Sequence, residues 1–505
     1  MNNTRLYPVT SSGIECNDYT VRVNGREVTT DTARVSAMPF NRRWPGHQRS
    51  IDQTETVQFL SLETDGGAYF EIIPKDTFSE GDVRIRPYSL GVKPTVKNGV
   101  ISFTLPKPAY FTVEAFGRRR ALHIFADPIS DLKVPEEKTG VYYFGKGTHE
   151  VGVLELKDGD TVFIDEGAVV YASIHAIDSK NISILGRGIL DNSHNKEEIL
   201  FEENAVGNTQ AVGNAKRRHT VQLEYCTGVL IDGITMRDSL VYNIRPMGCR
   251  DVEIRNVKII GCWRYNSDGI DMHNCENVHI DNCFLRTFDD SICIKGFDFY
   301  NKEDPKAELY KATYHNGEVY DTFKNVLVER CVVFNDWGKS LEIGAETKAR
   351  EMCDITFQRC DIIHMTGAAL DCMNVDYADV HRVTFSDINI EADELIPSPE
   401  IQNSDSDVYT LASVDADPDM LLVEVCFHHE YSKGSDERGR NRDFTFERIN
   451  VYGDRKIKGC FRGYDGEHRT ENVRISDLTV GGKRITSLDE TAIEIGDFAE
   501  DIRLV

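Results

Sequence analysis

The sequence lacks several features that would place it in common classes of protein. No stretch approaches the length of a membrane span, and the first thirty residues contain no basic start followed by an apolar run. Positive charge is scarce, because 58 Lys and Arg face 83 Asp and Glu, for a net charge of −25. Such an acidic chain is a poor partner for nucleic acid. We therefore expect a cytoplasmic protein that binds neither nucleic acid nor membrane.

The cysteines also lack the spacings that metals and disulfides require. Thirteen of them, an odd number, are scattered along the chain without a paired Cys-x-x-Cys or accompanying His spacing. This distribution is typical of reduced thiols in an intracellular protein. We expect no metal and no cofactor.

What the sequence does contain is a repeat in its second half. Alternating apolar and polar residues are followed by a polar pair and a second short alternation. Copies of this frame begin at Val229, Val252, Val278, Val326, Ile355, Val383, Phe444 and Val473. A period in the twenties without helical phase indicates a right-handed parallel β-helix. Cys283, Cys331 and Cys360 occupy one offset in three copies, so they should stack inside it.

The chain is too long for one core and divides into two predicted domains. Short alternating runs with Asn-Gly and Asp-Gly-Gly turns predict an N-terminal antiparallel β-sandwich at 1–135. The parallel β-helix occupies 136–505, so the fold class is all-β. The sandwich could cap the helix or bind carbohydrate. Three insertions, 191–218, 297–323 and 395–442, interrupt the coils; the last two contain aromatic residues suited to sugars.

Three carboxylates carry the predicted chemistry. Asp268 lies in Asn266-Ser-Asp-Gly-Ile-Asp271, and Asp289 and Asp290 lie in Phe288-Asp-Asp-Ser-Ile292. Glycosidic bonds are cleaved by one protonated and one ionised carboxyl, and crowded carboxyls cannot all ionise. Asp289 should lie about 6.5–9.5 Å from at least one of the other two, and because the residues sit on neighbouring coils a second pair could be about 5 Å apart. A single Asp at a β-helix corner is more often structural, but the triplet favours catalysis.

Strand periodicity predicts the residues that border these carboxylates. If Ile270, Ile292, Leu341 and Leu370 point inward, their successors form an acidic row facing solvent. The predicted substrate-binding residues are Asn243, Arg245, Asp271, His273, Lys295, Lys339, Glu342 and Asp371. Glu342 and Asp371 could instead pair with Lys339 and Arg245, and His273 and Lys295 with the aspartates. An acidic groove repels a polyuronate and suits neutral sugars.

Residues 225–395 resemble glycoside hydrolase family 28, the polygalacturonase family of parallel β-helices. The likeness rests on the Asn266–Asp271 motif, the Asp289-Asp290 pair and the 21 residues from Asp268 to Asp289. It implies an inverting enzyme with Asp289 as general acid and with Asp268 and Asp290 activating water. The sandwich followed by a β-helix also resembles family 49, the dextranase and isopullulanase group.

The chain departs from family 28 where polygalacturonases bind their substrate. The family's Gly-His-Gly and Arg-Ile-Lys segments correspond here to Gly338–Gly344 and Ala369-Leu370-Asp371, so the cationic anchor is replaced by a carboxylate. We therefore expect an exo-acting, inverting hydrolase of neutral, α-linked oligosaccharides. The alternatives are a family 28 polygalacturonase, a lyase and a non-catalytic carbohydrate-binding β-helix. A homo-oligomer stays open.

Overall fold

The structure is a computed structural model. It describes residues 3–36, 54–130, 132–136, 139–194, 200–203, 209–212, 219–264, 266–297, 313–394, 418–429, 431–432 and 436–505. Within these ranges the regular structure consists of β-strands and short 3₁₀ turns at Glu80–Asp82, Tyr88–Leu90, Arg118–Arg120 and Leu488–Glu490. No helix in the described part is long and apolar enough to cross a membrane.

The N-terminal region forms two packed sheets. The first contains β1 (Thr4–Leu6), β4 (Asp31–Ser36), β5 (Thr54–Thr64), β7 (Arg84–Arg86), β10 (Ala109–Glu114) and β11 (Leu122–Pro128). The second contains β2 (Tyr19–Val23), β3 (Arg26–Val28), β6 (Ala68–Pro74), β8 (Thr95–Lys97) and β9 (Val100–Leu105). Alternate side chains such as Phe70, Phe103 and Phe111 fill the space between the sheets. The predicted sandwich is confirmed, with one departure: β5 and β11 run parallel.

The rest of the chain winds into a parallel β-helix with three faces. Face one contains β12 (Val141–Phe144), β14 (Thr161–Ile164), β16 (Lys180–Gly186), β21 (Thr227–Asp232), β24 (Arg250–Arg255), β27 (Glu276–Asp281), β32 (Thr322–Glu329), β35 (Glu351–Gln358), β38 (Asp379–Glu391), β40 (Arg440–Tyr452), β42 (Thr470–Ser476) and β46 (Ala499–Leu504). Face two contains β13 (Gly147–Leu156), β15 (Ala168–Ile177), β17 (Ile189–Asp191), β22 (Thr235–Arg237), β25 (Lys258–Ile260), β28 (Phe284–Thr287), β33 (Val332–Asn335), β36 (Asp361–His364), β43 (Thr479–Val480) and β44 (Lys483–Arg484).

Face three carries the candidate site. Its strands are β20 (Val221–Glu224), β23 (Ile244–Met247), β26 (Ile270–His273), β29 (Ile292–Gly296), β34 (Leu341–Thr347), β37 (Leu370–Asn374), β39 (Leu421–Val425), β41 (Lys458–Arg462) and β45 (Ala492–Ile495). Two antiparallel hairpins lie in the predicted insertions: β18 (Leu200–Glu203) with β19 (Thr209–Val212), and β30 (Thr313–His315) with β31 (Glu318–Tyr320).

The polar pair of the repeat forms the corner between faces one and two. Its second residue has φ between 50° and 89° in all eight copies: Gly233, Asn256, Asn282, Arg330, Arg359, Asp387, Arg448 and Asp477. Asn and Asp tolerate this left-handed conformation, and the side chains of Asn256 and Asn282 hydrogen-bond from coil to coil at 2.8 Å. The corner chemistry thus fixes where each coil turns.

Apolar residues of successive coils stack inside the helix. The rings of Phe357, Phe385 and Phe446 are stacked with centroids 5.0 and 5.1 Å apart. Cys283, Cys331 and Cys360 are fully buried in the same core, as the frame predicts. The rigid stack holds the turns at the edge of face three in fixed register.

The sandwich packs against face two. Phe59 and Phe125 of the sandwich share a buried cluster with Phe284 and Phe334 of the helix. The predicted domain boundary at 135 falls between the last sandwich strand, β11, and the first coil strand, β12.

Candidate active site

The three aspartates lie in stacked turns at the start of face-three strands. Asp268 precedes β26, and Asp289 and Asp290 precede β29. The Gly269 N–H donates to the Asp290 carbonyl at 2.8 Å, which fixes one turn above the other. The motif residues from two separate repeats therefore meet because the coils stack.

The three carboxyl groups are crowded. One oxygen each of Asp268, Asp289 and Asp290 lies within 4.8 Å of the other two. These nearest oxygens are closer than the inverting separation of about 6.5–9.5 Å and agree with the short separation, about 5 Å, that neighbouring coils allow. Asp268 lies one coil away from the aspartate pair, and adjacent coils are only about 4.8 Å apart.

The ammonium group of Lys295 lies close to two of the three aspartates. Its Nζ lies 3.5 Å from Asp268 Oδ2 and 3.6 Å from Asp290 Oδ2, and it donates to Asp271 Oδ2 at 2.8 Å. Among the described residues, no cation lies within 4.0 Å of the Asp289 carboxyl. The ammonium group therefore lies nearer to the carboxyl groups of Asp268 and Asp290, although its charge also acts on Asp289.

Burial disfavours the ionised forms of both Asp289 and Asp268. Asp268 is 2% exposed and Asp289 is 6% exposed. Burial and then the Asp290 carboxylate raise the pKa of Asp289 well above its ordinary value. Burial and then the Asp289 carboxyl raise the pKa of Asp268 in the same direction, although Lys295 opposes this. Burial and the mutual repulsion of the carboxylates therefore both favour a proton on this cluster.

A neighbouring turn, Asn335–Lys339, supports the aspartate pair. The Lys339 N–H donates to Asp290 Oδ1 at 3.0 Å. Asn335 Nδ2 donates to the Asp289 carbonyl at 2.8 Å. A Cβ on Gly338 would lie 2.5 Å from the Asp289 carbonyl carbon, so glycine permits this close approach.

The predicted row on face three has the expected register but a different environment. Asp271 pairs with Cys293, Cys293 with Glu342, and Glu342 with Asp371. The expectation that the row faces solvent is wrong, because none of these side chains is more than 2% exposed. Lys339 covers two residues of the row, because its Nζ donates to Glu342 Oε1 at 2.7 Å and Asp371 Oδ2 at 2.5 Å.

Five predicted binding residues do not line the cavity described below: Asn243, Arg245, Asp271, His273 and Asp371. Asn243 Nδ2 donates to the Asp268 carbonyl at 2.8 Å and so positions that turn. Arg245 lies 3.1 Å from His219 and 3.4 Å from His273. Burial lowers the pKa of His273 to about 4. Asp271 contacts both His273 and Lys295, so it holds the lysine in place.

The carboxylates open into a cavity of about 330 Å³. It is lined by Tyr242, Asn266, Asp268, Asp289, Asp290, Lys295, Trp337, Gly338, Lys339, Glu342, Ala345, Glu346, Gly367, Met373, His428 and Tyr431. This volume is at the lower end of the about 300–1,000 Å³ of small-molecule sites. Asp371 lies behind the wall, bound to Lys339.

Sequence reasoning missed several wall residues. Tyr242, Trp337 and Glu346 lie outside the repeat frame, and Trp337 stacks on Phe288 with centroids 5.5 Å apart. His428 and Tyr431, by contrast, belong to the 395–442 insertion, which the sequence had singled out for its aromatic residues. Phe299, Tyr300 and Tyr310 of the 297–323 insertion lie outside the described residues.

The charge of the cavity wall is dominated by carboxylates. Five of the lining residues are acidic and two, Lys295 and Lys339, are basic. Both ammonium groups already contact carboxylates. The aspartate oxygens are close enough to hold a cation, but Lys295 already supplies positive charge beside them. A negatively charged substrate would therefore displace an existing ion pair at each lysine.

The chain is similar in sequence to known glycoside hydrolases. Residues 154–395 match the model of Glycosyl hydrolases family 28. A probable polygalacturonase of Vitis vinifera is 25% identical over 202 residues, 35% of this chain and 41% of that protein. A polygalacturonase of Gossypium barbadense is 27% identical over 144 residues, 28% of this chain and 33% of that protein. The matched regions thus span less than half of these curated relatives.

Two solved structures share the fold. Dex49A from Penicillium minioluteum aligns with a TM-score of 0.57 at 14% identity, covering 98% of this chain and 96% of that chain. A hyperthermoactive exopolygalacturonase from Thermotoga maritima aligns with a TM-score of 0.51 at 17% identity, covering 72% and 84%. The expected resemblance to glycoside hydrolase family 28 is confirmed, and the fold is similar to that of Dex49A over nearly the whole chain.

Proposed function

We propose that this protein is an inverting glycoside hydrolase in which Asp289 is the general acid and Asp268 and Asp290 activate water. The observation that supports it most strongly is the contact pattern of Lys295. This ammonium lies against Asp268 and Asp290, which supports their role beside the water, while Asp289 has no cation within 4.0 Å among the described residues and its pKa is raised by burial.

The reaction then follows from these protonation states. Asp289 donates its proton to the glycosidic oxygen as the bond from that oxygen to the anomeric carbon breaks. A water held by Asp268 and Asp290 attacks the anomeric carbon and gives its proton to one of them. The products are a free alcohol and a reducing sugar of inverted configuration.

We further propose that the substrate is a neutral, α-linked oligosaccharide attacked from its end. The cavity has the size of a small-molecule site, and Trp337 and Tyr431 in its wall offer aromatic faces for sugar rings. Glu342 and Glu346 can accept sugar hydroxyl hydrogen bonds. A uronate would meet the acidic wall with both lysines occupied.

A cytoplasmic location belongs to the same proposal. All thirteen cysteines are free thiols, which suits a reducing compartment. Imported oligosaccharides would then be the substrates available to the enzyme. Expression of the tagged protein in its native cell, followed by fractionation, tests this location.

The decisive experiment for the reaction is the anomeric configuration of the first product. Proton NMR during hydrolysis of α-linked glucosides, galactosides and rhamnosides should show the β-anomer before mutarotation. The short carboxyl spacing would also suit a double displacement, so an initial α-anomer would reject the water-activating roles. An unsaturated product would identify a lyase, and binding without turnover would identify a carbohydrate-binding protein.

Polygalacturonate belongs in the same panel because the curated relatives are polygalacturonases. Efficient cleavage of that polymer would reject the neutral-sugar proposal while keeping the hydrolase mechanism. We expect turnover of a neutral oligosaccharide to exceed that of oligogalacturonate of equal length at least tenfold, since like-charge contacts cost several kcal/mol.

A further inference from the structure

The N-terminal sandwich reaches the catalytic turn through one arginine. Arg118 lies in the 3₁₀ turn between β10 and β11 and is 2% exposed. Its NH2 group donates to the Asn335 carbonyl at 2.7 Å and to Asp336 Oδ1 at 3.1 Å. These contacts join a residue of the first domain to the turn that supports the aspartate pair.

The side chain of Asn335 in turn contacts the segment that carries Asp289. Its Nδ2 lies within hydrogen-bonding distance of four oxygens: the Asp289 carbonyl at 2.8 Å, and Thr287 Oγ1, Ser291 Oγ and the Lys339 carbonyl at 3.2 Å. Asn335 Oδ1 accepts from Thr366 at 3.0 Å. The side chain is therefore fixed from several sides, and movement of its backbone would move the turn that carries Asp289.

The next residues connect to the aspartates as well. The Asp336 N–H donates to the Thr287 carbonyl at 2.9 Å, and the Gly338 N–H donates to the Phe288 carbonyl at 3.0 Å. Asp336 Oδ2 accepts from Arg286 Nε at 3.2 Å. Asp336 is therefore held between Arg118 of the sandwich and Arg286 of the helix.

Stability alone does not account for the guanidinium of Arg118, because its burial is unfavourable. Its Nε and NH1 atoms are buried and have no hydrogen-bond acceptor among the described residues. A buried ion pair often contributes less than well-packed apolar side chains of the same volume. Precise placement of the 335–339 turn is a role that apolar packing would not supply, because it requires directional hydrogen bonds.

We propose that Arg118 is a positioning residue, through which the sandwich holds Asp289 and Asp290 at the spacing that hydrolysis requires. This inference rests on the proposed function of the two aspartates. It gives the sandwich a role beyond capping the coils. Arg118 touches no cavity-lining side chain that we assign to substrate, so its effect should fall on turnover.

Arg86 provides a matched control. It is also a buried arginine of the sandwich, 1% exposed, and it bonds Glu391 Oε2 at 2.6 Å and Asp393 Oδ1 at 2.8 Å on the helix. None of its described contacts reaches the 335–339 turn. Arg86→Met should lower thermal stability without changing kcat or KM beyond twofold.

The experiment compares Arg118→Met, Arg118→Lys and Arg86→Met on the smallest neutral oligosaccharide that the wild type cleaves. We expect Arg118→Met to lower kcat about tenfold or more with KM within threefold, since small misplacements of catalytic groups are costly. Arg118→Lys, which keeps the charge and a donor, should recover part of kcat. If Arg118→Met does not fold, the kcat of Arg118→Lys tests the inference instead.

Two outcomes would overturn the inference. One is equal kcat values for Arg118→Met and Arg86→Met at matched folded fraction. The other is wild-type kcat in both Arg118 variants. Asp289→Asn, measured alongside, separates this failure from failure of the proposed function: if it keeps its turnover, the catalytic assignment itself is wrong.

Discussion

At the scale of single residues, the proton on Asp289 is the central claim. Asp289→Asn removes the acid while keeping the side chain's size and its ability to accept the Asp290 N–H. We expect kcat to fall about 10²–10⁴-fold, the range of general acid catalysis. Steady-state kinetics on the identified oligosaccharide measures this.

Asp251→Asn is the matched control. Asp251 is an exposed corner residue with φ 56°, a conformation that Asn adopts readily, and its Oδ1 accepts from Asn277 at 2.9 Å. The control should retain full activity. A tenth of wild-type turnover in Asp289→Asn would contradict the acid role.

The proton also has a consequence for stability. An acid whose pKa is raised on folding stabilises the fold below its unfolded pKa, and this contribution is lost as pH rises through the folded pKa. Asp289→Asn should therefore raise the melting temperature at pH 7–8, because the neutral amide avoids the cost of burying a charge there. Near pH 3–4 the difference should vanish. If the variant and the wild type had identical melting curves at both pH values, burial of this carboxyl would not affect stability.

Lys295 should set the acidic limb of the pH–rate profile. Its charge lowers the pKa of Asp268 against the burial that raises it. Lys295→Met should raise that pKa further, so the acidic limb of kcat/KM should move to higher pH by about one unit or more. Lys324→Met, which removes an exposed lysine 3.5 Å from Glu276, is the control. An unmoved limb would mean that Lys295 does not govern ionisation of the water-activating group.

At the scale of elements, the close approach of two turns defines the site. A Cβ at residue 338 would lie 2.6 Å from the Asp290 amide nitrogen. Gly338→Ala should force the 335–339 turn away and lower kcat about 10–100-fold. Gly466→Ala, where nothing lies within 4 Å of the added Cβ, should be silent. Wild-type kcat in Gly338→Ala would show that the spacing tolerates such a shift.

The sequence predicts the elements well where a repeat fixes them. The frame beginning at Val252 gives β24, a corner at Asn256 and β25, because alternation and turn chemistry are local properties. The same periodicity gives the register of Asp271, Glu342 and Asp371. It does not give their burial, because the Lys339 side chain that covers two of them comes from a turn outside the frame.

At the scale of the whole molecule, contacts between segments far apart in the chain could not be predicted from the sequence. Arg118 lies 217 residues from Asn335, and no local pattern connects them. The two domains and the three aspartates could be anticipated because each has its own motif. The aromatic wall and the interdomain arginine depend on how the coils and the sandwich pack, which a single sequence does not specify.

The size of the cavity also predicts how the enzyme binds its substrate. Trp337 and Met373 on the coils and His428 and Tyr431 on the 395–442 insertion line one small chamber with the aspartates. A chamber of about 330 Å³ suits the end of a chain better than its middle. Chromatography of early products from a neutral oligosaccharide should therefore show one short product and a substrate shortened by that unit. A ladder of intermediate fragments at low conversion would contradict exo action. Stepwise loss of single units from a substrate labelled at its reducing end would support it. Tyr431→Ala, which opens the wall without touching the aspartates, should admit longer products while keeping the configuration of the released anomer.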